Sequence, residues 1–235
     1  MNDYPSIPRS VFGDPARLRS RALFAIAASS LVLLVAPATA RYEARGARSA
    51  QFDYFVLSLS WSPEHCAGGD GRADELQCGS SKPHGFVVHG LWPQSASGSL
   101  DSCAAVGRLD PSIVDGMLDL MPSRSLVRHE WKRHGTCSGM PPAPYFEAVR
   151  AASGRVRIPE AYRDPQRSRT VDAQEVRTDF VQANPGFDGR DFAVVCRQRH
   201  LREVRVCLDK ELRPTACGRD VRDQCRGEVT VRPIR

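Results

Sequence analysis

The sequence predicts an α+β domain with a central antiparallel sheet flanked by helices, a single domain held by disulfide bonds. Strand-like alternation lies towards both ends of residues 41–235, helical spacing lies between, and all eight cysteines fall in this stretch. The 235 residues are 41% hydrophobic and 26% charged, which excludes a disordered chain and a multispan membrane protein. The formal net charge of +6 is modest and does not by itself indicate a nucleic-acid partner.

Residues 1–40 have the layout of a secretory signal. Arginines dominate the charges of residues 1–21, an uncharged apolar run covers 22–36, and small residues end the segment at Ala40. An uncleaved anchor is the alternative, but the apolar run is shorter than the roughly 20 residues that cross a bilayer. We therefore expect cleavage after Ala40, leaving 41–235 as an exported, secreted or periplasmic, monomeric domain without stable membrane association.

The first half of that domain predicts two strands joined by a loop. Apolar residues alternate over 51–61, which predicts a strand with one buried face. Glycine and proline punctuate 62–83 and predict a loop. The run 86–89 predicts a short second strand that ends at Gly90.

The middle of the chain predicts helices, and two further strands follow. Ser123 is a good N-cap, and Pro144 suits a first helical turn. The predicted helices cover 113–121, 124–137, 144–152 and 172–183. The predicted strands cover 192–196 and 201–208.

The even number of cysteines after an export signal predicts four disulfide bonds. A zinc site needs close pairs such as C-x₂-C, whereas the tightest spacing, Cys217 to Cys225, leaves seven residues between. Eight cysteines allow on the order of a hundred pairings, so spacing alone leaves the connectivity open. The cysteines are Cys66, Cys78, Cys103, Cys137, Cys196, Cys207, Cys217 and Cys225.

Two histidine-bearing blocks carry the candidate chemistry. They are FVVHGLWPQ, which contains His89, and HEWKRHGTC, which begins at residue 129. In the second block Glu130 and His134 are four apart, so on a helix the carboxylate is placed to orient the imidazole as a general base requires. His129 and His134 are five apart, about 140° around a helix, which does not fit the H-E-x-x-H zinc motif.

Each of these residues also has a purely structural interpretation. A histidine near an apolar strand is usually structural, HEWKRH alone fits a solvated helix face, and tryptophans such as Trp92 are core residues by default. The two blocks together are hard to explain by packing alone.

The two blocks resemble the active-site segments of the T2 ribonucleases, secreted endoribonucleases that need no metal. SLSWSPEHC at 58–66 resembles the family's first strand and first cysteine, and PYFEAV at 144–149 resembles the helix after the second block. The resemblance covers 41–235. It implies a catalytic set of His89, Glu130 and His134.

The resemblance further implies three substrate contacts and no metal or cofactor. His129 would contact the scissile phosphate, Arg133 would stabilise the transition state where the family commonly has lysine, and Trp92 would stack on a base. The implied substrate is single-stranded RNA. The implied disulfides are Cys66–Cys78, Cys103–Cys137, Cys196–Cys225 and Cys207–Cys217.

The implied reaction is transphosphorylation, in which the ribose 2′-OH attacks the adjacent phosphorus and leaves a 2′,3′-cyclic phosphate that is hydrolysed to a 3′-phosphate. We expect His134 to be the base, because Glu130 is placed to orient it, and His89 the acid, although the sequence leaves this order open. Two alternatives also remain open. One is a catalytically silent relative that binds RNA or protein, and the other is a metal-dependent hydrolase that uses the His/Glu cluster.

Overall fold

Strand β1 (Tyr54–Trp61) lies at the centre of the sheet in the computed structural model, which describes residues 52–68, 75–79, 83–96 and 98–234. It pairs antiparallel with β2 (Phe86–Ser95) on one edge and with β6 (His200–Leu208) on the other. Strand β5 (Phe192–Arg197) pairs antiparallel with the far edge of β6. The predicted fold class is confirmed, with a sheet that is almost entirely antiparallel.

Three short strands complete the sheet. Strand β3 (Gly98–Ser99) pairs with the end of β2, and β4 (Arg169–Asp172) pairs with β7 (Glu228–Val231). Strand β7 meets β6 at a single parallel bridge, so one contact departs from the predicted antiparallel pattern. The β4–β7 ladder was absent from the predicted strands.

Six α-helices lie between and around these strands. They are α1 (Ser62–Ala67), α2 (Glu75–Cys78), α3 (Pro111–Asp115), α4 (Arg124–Arg133), α5 (Pro142–Arg155) and α6 (Ala173–Ala183). Ser123 caps α4 as predicted, because its hydroxyl accepts a hydrogen bond from the Leu126 N–H. Helix α4 ends at Arg133 rather than 137, and a 3₁₀ turn over Gly135–Ser138 follows.

Three sequence expectations are wrong in detail. The region 62–83 carries two short helices rather than loop alone. Strand β2 continues through Gly90 to Ser95 instead of ending there. Strand β1 is buried on both faces: Phe55 and its like-facing neighbours join the main core, while Val56 joins a second cluster with Ala193 and Cys207. The central strand therefore has no solvent face.

All eight cysteines form disulfides, and the pairing that the resemblance implied is confirmed. The pairs are Cys66–Cys78, Cys103–Cys137, Cys196–Cys225 and Cys207–Cys217. Cysteine thiolates are thus not available to hold zinc. Four disulfides fit a protein that folds in an oxidising compartment.

The chain divides into Met1–Glu43 and Ala44–Arg235, and every described residue lies in the second unit. The predicted signal, residues 1–40, lies outside the described residues and stays a prediction. Within the described ranges, none of the helices has the length and apolar character that crossing a bilayer requires.

Candidate active site

Strand β2 presents His89 at an irregularity in the sheet. Ser58 pairs with Gly90, but the next residue of β1, Leu59, pairs with Val88. His89 is therefore the extra residue of a β-bulge, a feature that re-aims a side chain and is frequent beside active sites. A regular strand would have placed His89 in the ladder.

Helix α4 supplies the second half of the site. Its last turn carries His129, Glu130 and Arg133, and His134 is its C-cap, with the His134 N–H donating to the Glu130 carbonyl at 2.9 Å. The helix thus points Glu130 at the sheet, where the carboxylate is only 1% exposed. His134 lies where the chain leaves the helix.

The Glu130 carboxylate is held by two residues of β2. The indole Nε1–H of Trp92 donates to Glu130 Oε2 at 2.7 Å, and His89 Nε2 lies 3.7 Å from Glu130 Oε1. Burial raises the pKa of Glu130 to about 7, although the nearby His89 and the Trp92 N–H both act to lower it. Glu130 is thus a buried carboxyl that titrates near neutrality.

His89 lies between two carboxylates. Its Nδ1–H donates to Glu203 Oε1 at 3.0 Å, on the opposite side of the ring from Glu130. Burial alone would lower the pKa of His89, but the hydrogen bond to Glu203 and the charges of Glu130 and Glu203 outweigh it and raise the pKa above its usual value. His89 is therefore biased towards the protonated form.

His134 has the opposite bias. Its Nδ1–H donates to the Leu100 carbonyl at 3.4 Å, which leaves Nε2 as the free acceptor. Burial lowers the pKa of His134 to about 4, against smaller raising effects from Leu100 and Asp101. His134 is therefore neutral over most of the physiological range.

Trp92 brings the two imidazoles to one place. The centre of its ring lies 5.2 Å from that of His89 and 5.3 Å from that of His134. Two histidines from separate blocks, one biased to protonation and one to neutrality, thus share one neighbour. This is the arrangement that concerted general acid and general base catalysis needs.

One expectation about Glu130 is wrong. The four-residue spacing predicted that Glu130 orients His134, but its carboxylate contacts His89 and Trp92. The partner that holds the ring of His134 is the Leu100 carbonyl. Strand β2 approaches α4 so closely that its side chains take the carboxylate first.

The three expected substrate contacts lie around this centre with different surroundings. His129 is exposed and shares with His89 the wall of a cavity of about 660 Å³. Arg133 forms an ion pair with Asp101 and is half-exposed. Trp92 is half-buried, its N–H is used by Glu130, and the Arg205 guanidinium lies 5.1 Å from its ring centre. The geometry therefore favours a positioning role for Trp92 beside the stacking role expected of it.

The cavity adjoins the two histidines that line it and has a mixed polar and apolar wall. Among the part of the chain that is described, no three His, Cys, Asp or Glu side chains are grouped to hold a metal ion. The other residues that line the cavity are Ser60, His65, Gln77, Val87, Ser123, Ser125, Leu126, Arg202 and Glu203.

Glu203, Arg205 and Asp101 were absent from the predicted site. Glu203 lies in β6, 114 residues beyond His89, and no motif surrounds it. Its one signal in the sequence is a carboxylate within an otherwise apolar strand, since a buried charge needs a partner. Asp101 lies in an irregular segment with no periodic pattern.

The Cys103–Cys137 disulfide supports the position of His134. It ties the segment that follows Leu100 to the 3₁₀ turn after α4, and the Ser102 N–H adds a hydrogen bond to the Arg133 carbonyl at 2.7 Å. The carbonyl that holds His134 is thereby anchored to the helix that carries His134.

We expect the double variant Cys103→Ser/Cys137→Ser to lose activity at temperatures where the fold persists. The lost cross-link closes a separation of 34 residues and costs stability by about 4 kcal/mol in the chain-entropy model. Activity is measured well below the Tm, with Cys196→Ser/Cys225→Ser as the matched control. A folded Cys103→Ser/Cys137→Ser variant as active as that control would contradict the prediction.

Comparison with known proteins agrees with this site. The model of the Ribonuclease T2 family matches residues 52–217. A ribonuclease of Aeromonas hydrophila is 39% identical over 190 residues, which cover 77% of this chain and 83% of that protein. Both histidine-bearing blocks lie inside the matched residues.

Solved structures share the fold. An RNase-related protein from Calystegia sepium superposes with a TM-score of 0.64 at 23% identity, over 78% of this chain and 98% of that one. Ribonuclease MC1 from the seeds of bitter gourd superposes with a TM-score of 0.57 at 26% identity, over 76% and 99%. Variants of that enzyme have been solved in complex with 5′-UMP and with 5′-GMP. The chain described here belongs to the ribonuclease T2 family and is an RNA-cleaving endoribonuclease.

Proposed function

We propose that this enzyme cleaves single-stranded RNA by transphosphorylation, through a 2′,3′-cyclic phosphate to 3′-phosphate ends. The observation that carries the proposal is the pair of imidazoles, His89 and His134, that lie about 5 Å from one indole with unlike partners. One ring has two carboxylates beside it, and the other has a backbone carbonyl. Such a pair supplies one proton donor and one proton acceptor at the same time.

His134 acts as the general base in this proposal. Its free Nε2 takes the proton from the ribose 2′-OH, which attacks the adjacent phosphorus. His89 acts as the general acid and gives its Nε2 proton to the departing 5′-oxygen. The order that the sequence left open is now supported by the unlike surroundings of the two rings rather than by Glu130.

The remaining residues of the predicted set act on charge and position. Glu130 holds Trp92 and lies against His89, so it fixes the acid relative to the indole. His129 and Arg133 stabilise the charge that grows on the phosphoryl oxygens, an effect typically worth about 3 kcal/mol for one such donor. The cavity beside His89 and His129 accommodates a neighbouring nucleotide, and Trp92 contributes an aromatic surface at its far side.

We also propose the route by which the enzyme reaches its substrate. Residues 1–40 direct export and are removed, and residues 41–235 act as a secreted or periplasmic monomer. The four disulfides support an oxidising destination. N-terminal sequencing of the protein recovered outside the cytoplasm tests the cleavage site.

The decisive experiment is the end-group chemistry of the products. Purified enzyme is incubated in EDTA with a single-stranded RNA oligonucleotide, and the fragments are identified by mass spectrometry. We expect 2′,3′-cyclic phosphate ends first and 3′-phosphate ends later. An oligonucleotide with one 2′-deoxy sugar is expected to resist cleavage at that position only, because the nucleophile is missing.

The other outcomes separate the alternatives. Intact RNA after incubation with folded protein would support the silent relative. Activity lost in EDTA and restored by a divalent ion would support a metal-dependent hydrolase. Fragments with 5′-phosphate ends would contradict attack by the 2′-OH.

The proposal predicts the pH profile of kcat/KM. Activity is expected to rise with pH through the pKa of His134, about 4, because the base must lose its proton. Activity is expected to fall at a pH above 6.5, the usual value that His89 exceeds, because the acid must keep its proton. Initial rates on a short oligonucleotide check both limbs. An acid limb that stays in place in a folded His134→Ala variant would contradict the assignment.

A further inference from the structure

Glu203 is a buried carboxylate that the expected catalytic set does not include. It lies in the middle of β6, which pairs with β1 on one edge and β5 on the other, and it is 3% exposed. A buried charge in a central strand is destabilising unless it is paired and hydrogen-bonded. Its retention at this position calls for a partner that uses it.

Two cations of different kinds surround Glu203. The Arg205 Nε and Nη2 groups lie 3.2 and 3.1 Å from Oε2, and the His89 Nδ1 lies 3.0 Å from Oε1. Each oxygen therefore has its own partner. The Arg205 fork fixes the plane of the carboxylate, so the remaining oxygen points at His89 in a defined direction.

This contact determines what the ring of His89 presents on its other side. Because Nδ1–H donates to Glu203, the proton that the ring gains or loses is the one on Nε2. In His134 the same orienting place is taken by the neutral Leu100 carbonyl. The two rings are thus held by the same ring nitrogen with partners of different charge.

Arg205 also links this contact to the rest of the site. Its guanidinium lies over Trp92, and Trp92 donates to Glu130, which returns to His89. The five side chains form a closed circuit around the bulged position on β2. A displacement of Glu203 would therefore be felt by the ring of His89 first.

We propose that Glu203, held by Arg205, is the positioning residue that keeps His89 oriented and protonated as the acid. The proposal rests on the proposed function, because it assumes that His89 is the proton donor. Glu203 itself does not touch the substrate in this proposal. It acts through His89.

The charged groups that face His89 come from three parts of the fold. Glu203 and Arg202 lie on β6, Glu130 and His129 lie on α4, and His134 lies at its end. Burial alone would raise the pKa of Glu203, but His89, Arg205 and Arg202 lower it to about 2. Glu203 therefore stays charged throughout the working range, while Glu130 titrates within it.

The test compares Glu203→Gln with the native enzyme. We expect kcat to fall about 10- to 100-fold with KM changed by less than about threefold, as for partners that orient a functional histidine. The alkaline limb of the kcat profile is expected to move to lower pH by about one unit, because His89 loses a charged acceptor. Glu228→Gln is the matched control, since Glu228 is 70% exposed and pairs with Arg199.

A second readout does not depend on activity. NMR titration of the His89 ring is expected to show its pKa lowered by about one unit in Glu203→Gln and unchanged in Glu228→Gln. An unchanged His89 titration, or a native rate in folded Glu203→Gln, would overturn the proposal. A lowered His89 titration with native rates in both Glu203→Gln and His89→Ala would instead overturn the proposed function.

Glu203→Asp keeps the proposal testable where Glu203→Gln fails to fold. The shorter side chain keeps the negative charge but draws the oxygen back from Nδ1. We expect its kcat to lie between the native value and that of Glu203→Gln, about 3- to 10-fold below native. A folded Glu203→Asp with native kcat, or one no faster than Glu203→Gln, would count against an orienting role.

Discussion

His134→Ala and His89→Ala are each expected to lower kcat by at least about 100-fold on RNA, because each variant removes one of two proton transfers in the same step. His200→Ala is the control. His200 lies at the start of β6, where its ring contacts the Gln198 carbonyl in an exposed turn. The measurement is the single-turnover rate on a short oligonucleotide, with circular dichroism to confirm the fold.

The nature of the leaving group separates the two roles. A uridine 3′-phosphate ester of p-nitrophenol releases a weakly basic phenolate, which departs without a proton. On this substrate His89→Ala is expected to recover most of the native rate, whereas His134→Ala stays slow because the 2′-OH still needs its base.

Three results would contradict the assignment. A near-native rate of either variant on RNA would remove that histidine from the mechanism. Recovery of His134→Ala, with His89→Ala remaining slow, would exchange the two roles. Equal recovery of both would mean that neither ring acts on the leaving group alone.

Both catalytic histidines and the glutamate could be predicted because the two blocks are short and continuous. The residues around His89, Glu130 and His134 are specified by local sequence, and the bounds of α4 follow from the cap at Ser123. The disulfide pairing depended on the resemblance, since cysteine spacing alone left it open.

The contacts of Glu130 could not be predicted from its helix. Spacing on α4 places Glu130 and His134 on neighbouring faces, but it says nothing about what approaches from the sheet. The bulge at His89 and the absence of a side chain at Gly90 let β2 come close enough to take the carboxylate. Such geometry depends on the register of two strands, which the pattern of one strand does not contain.

The elements that were missed share a physical cause. Strands β4 and β7 have four residues each and pair across most of the C-terminal half, so neither shows a useful period. Glu203 is brought to His89 by the antiparallel pairing of β6 with β1. Non-local pairing of this kind leaves only a weak trace, a charge inside an apolar strand.

Gly90→Ala is the second variant with a large expected effect. A Cβ at this position would overlap the Glu130 carboxylate and lie 2.5 Å from Trp92 Nε1. Both atoms belong to the hydrogen bond that fixes the carboxylate beside His89. The added methyl group must therefore separate the strand from the helix or break this bond.

We expect Gly90→Ala to lower kcat about 100-fold, because a displacement of about 1 Å at a catalytic group costs that much. Overpacking is expected to destabilise the fold by about 1–3 kcal/mol, which leaves it folded at assay temperature. Gly107→Ala is the matched control, since a Cβ there meets nothing within 4 Å. Rates and thermal melts of the two variants are compared.

The combination with Glu130→Gln decides whether the loss passes through Glu130. If the methyl group acts by displacing that carboxylate, Gly90→Ala/Glu130→Gln will be about as slow as the slower single variant, because the same interaction cannot be lost twice. Multiplying losses would mean that Gly90→Ala disturbs His89 or Trp92 independently. A native rate in Gly90→Ala alone would mean that the close approach of β2 and α4 is not needed for catalysis.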